Sequence, residues 1–163
     1  MPLGRVLRLE GIRRPPAVLG LAMDQPTIRP ALKSEGDFIF KTWKGVAWDQ
    51  QRWLCRHKDA PRIARGGFMQ GMERRIRRAL GRSSALVAQP VECRQAIAGF
   101  IVYAGPTVHM VYVKGNWRKK GIAGLLLCAA GLGDGFQYSQ HTGAMVHLAR
   151  KWRAEYNPFE VEV

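Results

Sequence analysis

The segment from Val108 to Ala130, VHMVYVKGNWRKKGIAGLLLCAA, constrains this chain more than any other stretch. From Thr107 to Val113 nearly every residue is apolar or β-branched, the composition of a strand covered on both faces. Lys114 to Lys120 then gathers Gly115, Asn116 and a set of basic residues, so a solvated turn interrupts the hydrophobic run. Ile122, Leu125, Leu126 and Ala129 recur at helical spacing and predict a helix after that turn. The first amide groups of a helix have no partner inside it and stand at the positive end of its dipole, so they face any anion that approaches. Gly121 and Ala123 keep those amides uncovered, and Arg118, Lys119 and Lys120 add full positive charge beside them. Strand, basic turn and helix together predict a cradle for a pyrophosphate.

Val113, Arg118, Gly121 and Ala123, spaced Val-x-x-x-x-Arg-x-x-Gly-x-Ala and followed by Leu125, Leu126 and Leu127, resemble the acyl-coenzyme A signature of the GNAT N-acetyltransferase superfamily. The likeness is good over Ala96 to Ala130 and topological elsewhere. It departs at Gly115, where many members have proline, and at Ala123, which stands for the commoner glycine. The resemblance implies an α/β (α+β) fold: a mixed, mostly antiparallel central sheet flanked by helices. It also implies N-acyl transfer from acetyl-CoA or another acyl-CoA. On that pattern the pyrophosphate is gripped by Arg118, Lys119, Lys120, Gly121, Ile122 and Ala123, and the pantetheine arm runs along the strand edge at Val111 and Val113.

Charge narrows the partner. Twenty-six Lys and Arg against twelve Asp and Glu give +14 and a pI near 10.6. Such a balance points to a polyanionic partner or an anionic substrate, nucleic acid first among them, although charge also serves solubility. Between Arg52 and Arg82 ten basic residues face two acids, a local +8. Within that stretch Met72, Ile76, Ala79 and Leu80 form an apolar helical stripe, and Arg74, Arg75, Arg77 and Arg78 cover the rest as a phosphate track or a solvated face. Cys55, Cys93 and Cys128 are odd in number and scattered, with neither a disulfide framework nor zinc spacing, so a reducing cytoplasm is the simplest setting. Cys128, inside an apolar helix, reads as packing. The four histidines lack metal-ligand spacing, and no apolar run is long enough to span a bilayer.

Residues 1–25 read as a flexible basic leader with Arg5, Arg8, Arg13, Arg14 and a Pro15-Pro16 pair; 26–163 read as the acyltransferase domain. Along that domain the patterns predict a strand at Thr27–Leu32, a helix at Glu35–Val46 and a helix at Gly71–Arg82. Strands at Ala85–Ala88, Ala96–Tyr103 and Thr107–Lys114 follow. After the basic turn and its helix come a strand at Phe136–Thr142, a helix at Ala144–Glu155 and a strand at Phe159–Val163.

Acyl transfer from a thioester to an amine needs a proton acceptor for the amine and a proton donor for the thiolate. Many GNAT members place a carboxylate on the strand before the phosphate loop; this strand has none. His109 lies there instead, and strand alternation puts it on the face of Val111 and Val113. It is read either as the base or as a buried structural histidine. Tyr156 stands about where the family often has its acid, with Tyr138 and Tyr112 as rivals, and His141 and Thr142 are candidates for substrate contact. The acceptor is expected between the early helices and the late loops, among Trp43, Trp48, Trp53 and the arginines, a combination that holds phosphates and stacks bases. Similar folds in certain bacteriophages modify DNA bases. Two further readings stand beside this one: a GNAT-fold binding or virion-associated protein without catalysis, and a basic nucleic-acid-binding protein without coenzyme.

Overall fold

A computed structural model describes residues 25–54, 56 and 64–158. Most of the leader, Cys55, His57 and the strand expected at Phe159–Val163 lie outside the described residues.

Ten principal elements follow the expected order: β1 (Thr27–Pro30), α1 (Gly36–Leu54), α2 (Arg65–Arg82), β2 (Ser84–Gln89), β3 (Gly99–Ala104), β4 (Thr107–Val113), α3 (Ile122–Ala129), β5 (Gln137–Tyr138), α4 (Gly143–Trp152) and β6 (Glu155–Tyr156). The strands lie side by side in chain order. β1 to β4 pair antiparallel, while β4, β5 and β6 pair parallel, each parallel step crossing over through a helix. The sheet is therefore mixed and mostly antiparallel, as expected.

Each face of the sheet has its own core. On one side Val87, Phe100, Val102 and Met110 meet Ile39 and Trp43 of α1 and Ile76 and Ala79 of α2. On the other, Ile101, Val108 and Val111 meet Ile122, Leu126 and Leu127 of α3 and Met145 and Ala149 of α4. Burying each of the larger aliphatic side chains contributes about 1.5–3 kcal/mol, which is why β3 and β4 read as unbroken apolar runs. Gly99 is set by close approach: a Cβ there would fall 2.6 Å from the Tyr112 carbonyl oxygen, so a side chain would push β3 off β4.

Several boundaries differ from the sequence reading. α1 runs on to Leu54 and α2 begins at Arg65, because Trp48 and Phe68 meet across the helix pair, ring centroids 5.6 Å apart, and extend the packed length. In α3 the buried stripe is Ile122, Leu126 and Leu127 rather than Leu125 and Ala129. That rotation turns Cys128 outward, so it is exposed and not a packing residue. β5 is only two residues long, and Glu155, expected to end α4, instead opens β6, with Tyr156 on that strand. The helix stops at Trp152 because Arg153 adopts a left-handed conformation, φ 50°, and its amide closes onto Ala149 O.

Candidate active site

The site is a fork in the sheet. β4 and β5 pair only at Thr107–Gln137 and Val108–Tyr138, closed by Ser139 N donating to Val108 O at 3.0 Å. Beyond that point β4 continues to Val113 while the chain leaves β5 into a loop, so the two diverge. An irregularity marks the apex: Tyr103 pairs with Val108 and Val102 with Met110, leaving His109 as the additional residue of a bulge. Val108 and Val111 consequently share one core face, although simple alternation would separate them.

One wall is backbone. Lys114 N donates to Ala98 O at 2.8 Å, and the antiparallel alternation then turns the polar groups of Met110 and Tyr112 toward β3 and those of Val111 and Val113 into the fork. The main-chain groups of Val111 and Val113 thus point away from β3 on the side where β5 has parted, with Val111 itself only 3% exposed. At its far end Arg118 Nε donates to Val113 O at 3.1 Å and folds the basic turn over the strand terminus. Lys120 Nζ sits 4.6 Å from the Trp117 ring centroid, a cation–π contact that holds the turn's shape.

The turn ends in a left-handed Gly121, φ 77°, which caps α3 without a side chain. Lys119 is also left-handed, φ 63°, a conformation from which main-chain anion nests are built. The first helical bond is Leu125 N to Gly121 O at 3.1 Å, so the amides of Ile122, Ala123 and Gly124 precede it and face outward. A Cβ placed on Gly121 meets nothing within 4 Å, so the concavity is open. The Ile122 side chain itself is buried in the core; only its backbone is available to a ligand.

The other wall is a short loop, Ser139–Thr142, held at every residue. The Ser139 hydroxyl lies 2.9 Å from His109 Nδ1, and both side chains are buried. Trp43 Nε1, from α1, donates to Gln140 Oε1 at 2.8 Å. Gln50 Nε2, also from α1, donates to the carbonyl of His141. Thr142 Oγ1 accepts from Met145 N at 3.2 Å and caps α4. His141 is exposed at the centre of this framework, and its Nδ1 lies 3.4 Å from the Tyr138 hydroxyl. Tyr156, 50% exposed, has its ring 5.2 Å from His141 and 5.3 Å from Tyr138.

The structure therefore brings together His109, His141, Tyr138 and Tyr156 around the fork. His109 is only 4% exposed. The arginines divide. Arg75 Nη2 donates to Pro158 O at 3.2 Å, which docks α2 beside the end of β6, and Arg77 lies 4.6 Å above the Phe40 ring. Arg74 and Arg78 are exposed on the same helix. Of the tryptophans, Trp43 is core, Trp48 is half-buried under Arg65, and Trp53 is exposed near the end of α1. The sequence reading missed the tethers Ser139, Gln140 and Gln50, whose partners lie 30 to 97 residues away and leave no local pattern.

Among the described residues no group of His, Cys, Asp and Glu has metal-binding geometry, and no helix is long and apolar enough to cross a membrane. A surface depression of about 330 Å³ near Gly105, Gly131 and Asp134 lies at the opposite end of β4 from the cradle.

No family model and no curated protein matches the sequence. Among solved structures, a GCN5-related N-acetyltransferase from Rhodopseudomonas palustris superposes with a TM-score of 0.52, over 81% of this chain and 83% of that one, at 16% identity. This chain has the GNAT fold. An acetyltransferase from Vibrio fischeri is similar more loosely, with a TM-score of 0.40 and 18% identity over 65% of this chain and 84% of that one. The GNAT fold accounts for the mixed sheet and for the parting of β4 from β5 beside the start of α3.

Proposed function

We propose that this protein is an acyl-coenzyme A-dependent N-acyltransferase acting on a polyanionic acceptor. One observation carries the reading: the left-handed Gly121 places the first amides of α3 at the end of the β4 edge that β5 leaves unpaired. A pyrophosphate fits that concavity on three grounds, namely outward amides, the helix dipole and the cationic side chains of Arg118, Lys119 and Lys120. The edge at Val111 and Val113 offers alternating donors and acceptors to an amide-bearing arm. Bound there, acyl-CoA supplies an acyl group activated as a thioester.

Acceptor chemistry falls to the other wall. Exposed aromatic rings at His141 and Tyr156, with Arg74, Arg75, Arg77 and Arg78 on the helix docked beside them, suit a phosphate-bearing acceptor with a planar base, such as a nucleic acid. Tyr156 is positioned by its exposure to donate a proton, and His109, through Ser139, to influence the loop from beneath.

Isothermal calorimetry with acetyl-CoA tests the coenzyme: saturable binding supports it, and no heat at millimolar concentration removes it. A second reading, a GNAT-fold binding protein without catalysis, is favoured by the absence of any acid on β4. It predicts coenzyme binding with no thiol release.

A further inference from the structure

His141 stands where an acyl acceptor would meet the thioester. The cradle lies just beyond Val113, and the fork closes at Val108–Tyr138, so an arm leaving the cradle along β4 has the stretch from Val113 back to His109 before it reaches the apex. Four residues of strand span about 13 Å. The reacting carbon of a thioester at the end of that arm arrives at the mouth of the Ser139–Thr142 loop, where His141 is the exposed imidazole.

Its presentation is built. Gln140 on one side is held by Trp43, Thr142 on the other caps α4, and the His141 carbonyl is itself held by Gln50. Backbone freedom is thereby removed while the ring stays exposed, the arrangement a proton-transfer group requires. The Tyr138 hydroxyl, whose ring is buried, lies 3.4 Å from Nδ1, a contact that leaves the other ring nitrogen, Nε2, disengaged on an exposed side chain. The titratable rings against it are Tyr138 of β5 and Tyr156 of β6; from α1 it meets Gln50, flanked in sequence by Asp49 and Arg52 two residues on.

We propose that His141, oriented by Tyr138, is the proton acceptor for the attacking amine. This rests on the coenzyme reading above. His141 takes the proton that the acceptor nitrogen sheds as its C–N bond forms and the thioester C–S bond breaks. One proton is returned to the departing sulfur, so the net movement is from nitrogen to sulfur. Tyr138 is a positioning residue. His109, sealed under Ser139, supports the loop.

Position is tested without any acceptor. Diethyl pyrocarbonate is applied to the full chain and each histidine followed by mass spectrometry, with the exposed His147 of α4 as internal control. His141 should be modified readily, and saturating acetyl-CoA should slow it at least about tenfold while His147 is unaffected. Adenosine 3′,5′-diphosphate, which lacks the arm, should not protect. Equal modification with and without acetyl-CoA, in protein shown by calorimetry to bind it, overturns the assignment and leaves the coenzyme reading standing; absence of binding overturns both.

Chemistry is tested with n-butylamine as probe. His141→Gln should retain acetyl-CoA affinity and the wild-type melting curve, lose about 100-fold in thiol release and lose the acidic limb of the pH profile. Tyr138→Phe should lower kcat for thiol release while leaving the acetyl-CoA KM and the melting curve as in wild type. A His141→Gln variant as fast as wild type, a wild-type protein no faster than the uncatalysed reaction, or a Tyr138→Phe variant with unchanged kcat each counts against the proposal.

Discussion

The wall of the fork that runs from Val111 to Ala123 offers main-chain groups, whereas the wall from Ser139 to Tyr156 offers side chains held by other side chains. The first needs only a strand without a neighbour, a left-handed glycine and a helix whose opening turn is uncovered. The second needs Trp43 and Gln50 from α1, His109 from β4 and Thr142 at the head of α4 to meet on one four-residue loop. Main-chain recognition tolerates varied side chains but not bulk. A side-chain framework tolerates bulk at its surface but not the loss of a partner, since a buried polar group left without its bond costs about 1–3 kcal/mol.

Substitutions on each wall should therefore separate. The largest effect is expected from Gly121→Glu, which puts bulk and negative charge into the cradle and strains a backbone at φ 77°. Acetyl-CoA binding should fall below detection by calorimetry while the acceptor loop keeps its proton NMR signature; surviving affinity would place the coenzyme elsewhere. Next comes Trp43→Phe, which keeps an aromatic ring in the core but shrinks it and removes the donor to Gln140. Thermal stability should fall by about 1–3 kcal/mol, and coenzyme affinity should change less than threefold. Comparable loss on both walls would show that the two are one unit.

A smaller change is expected from Arg74→Ser with Arg78→Ser, a pair chosen because Arg75 and Arg77 have structural partners at Pro158 and Phe40. If the arginine face holds phosphates, single-stranded oligonucleotide binding weakens and its slope against log salt becomes shallower by about 0.7 per lost contact. Acetyl-CoA binding should be unaltered. An unchanged slope would assign those arginines to solvent.

The smallest effect concerns neither wall and serves as a baseline. Hydrogen bonding to Arg29, 2.6 and 2.9 Å away, holds the Glu35 carboxyl below its ordinary range, with the Leu32 amide contributing. Because the folded-state value is depressed, this stabilisation is present above the ordinary carboxylate range and is lost as pH falls through the lowered value. Glu35→Gln should reduce melting temperature slightly at neutral pH and flatten its decline in acid; a variant with an unchanged acid profile would show that the pair contributes nothing.

Element order was legible because β4 and α3 differ so clearly in hydrophobic period, with a basic turn between them. The tight turn at Gly121 was legible for the same reason: a glycine after a basic run and before an apolar helical stripe marks a turn, and Gly121 is left-handed there. Other features had no local signal. Nothing near Trp43 indicates Gln140, 97 residues on. Cys128 looked internal because it follows three leucines, yet two of them, Leu126 and Leu127, fill the core-facing arc and turn it outward. The bulge at His109 was hidden because an additional residue in an apolar strand changes register without changing composition. Tyr156 fell between the expected helix and the expected last strand, because β6 owes its two residues of pairing to β5 rather than to any run of its own.

A turn shaped by main-chain atoms is tolerant of changed spelling. Mutation at positions 118 to 120 alters charge and contour but cannot delete an amide hydrogen unless it brings proline, so most of those letters can change while the local geometry stays. Shape of this sort outlasts wording, and a superposition at 16% identity with a TM-score of 0.52 is a fold shared at that level.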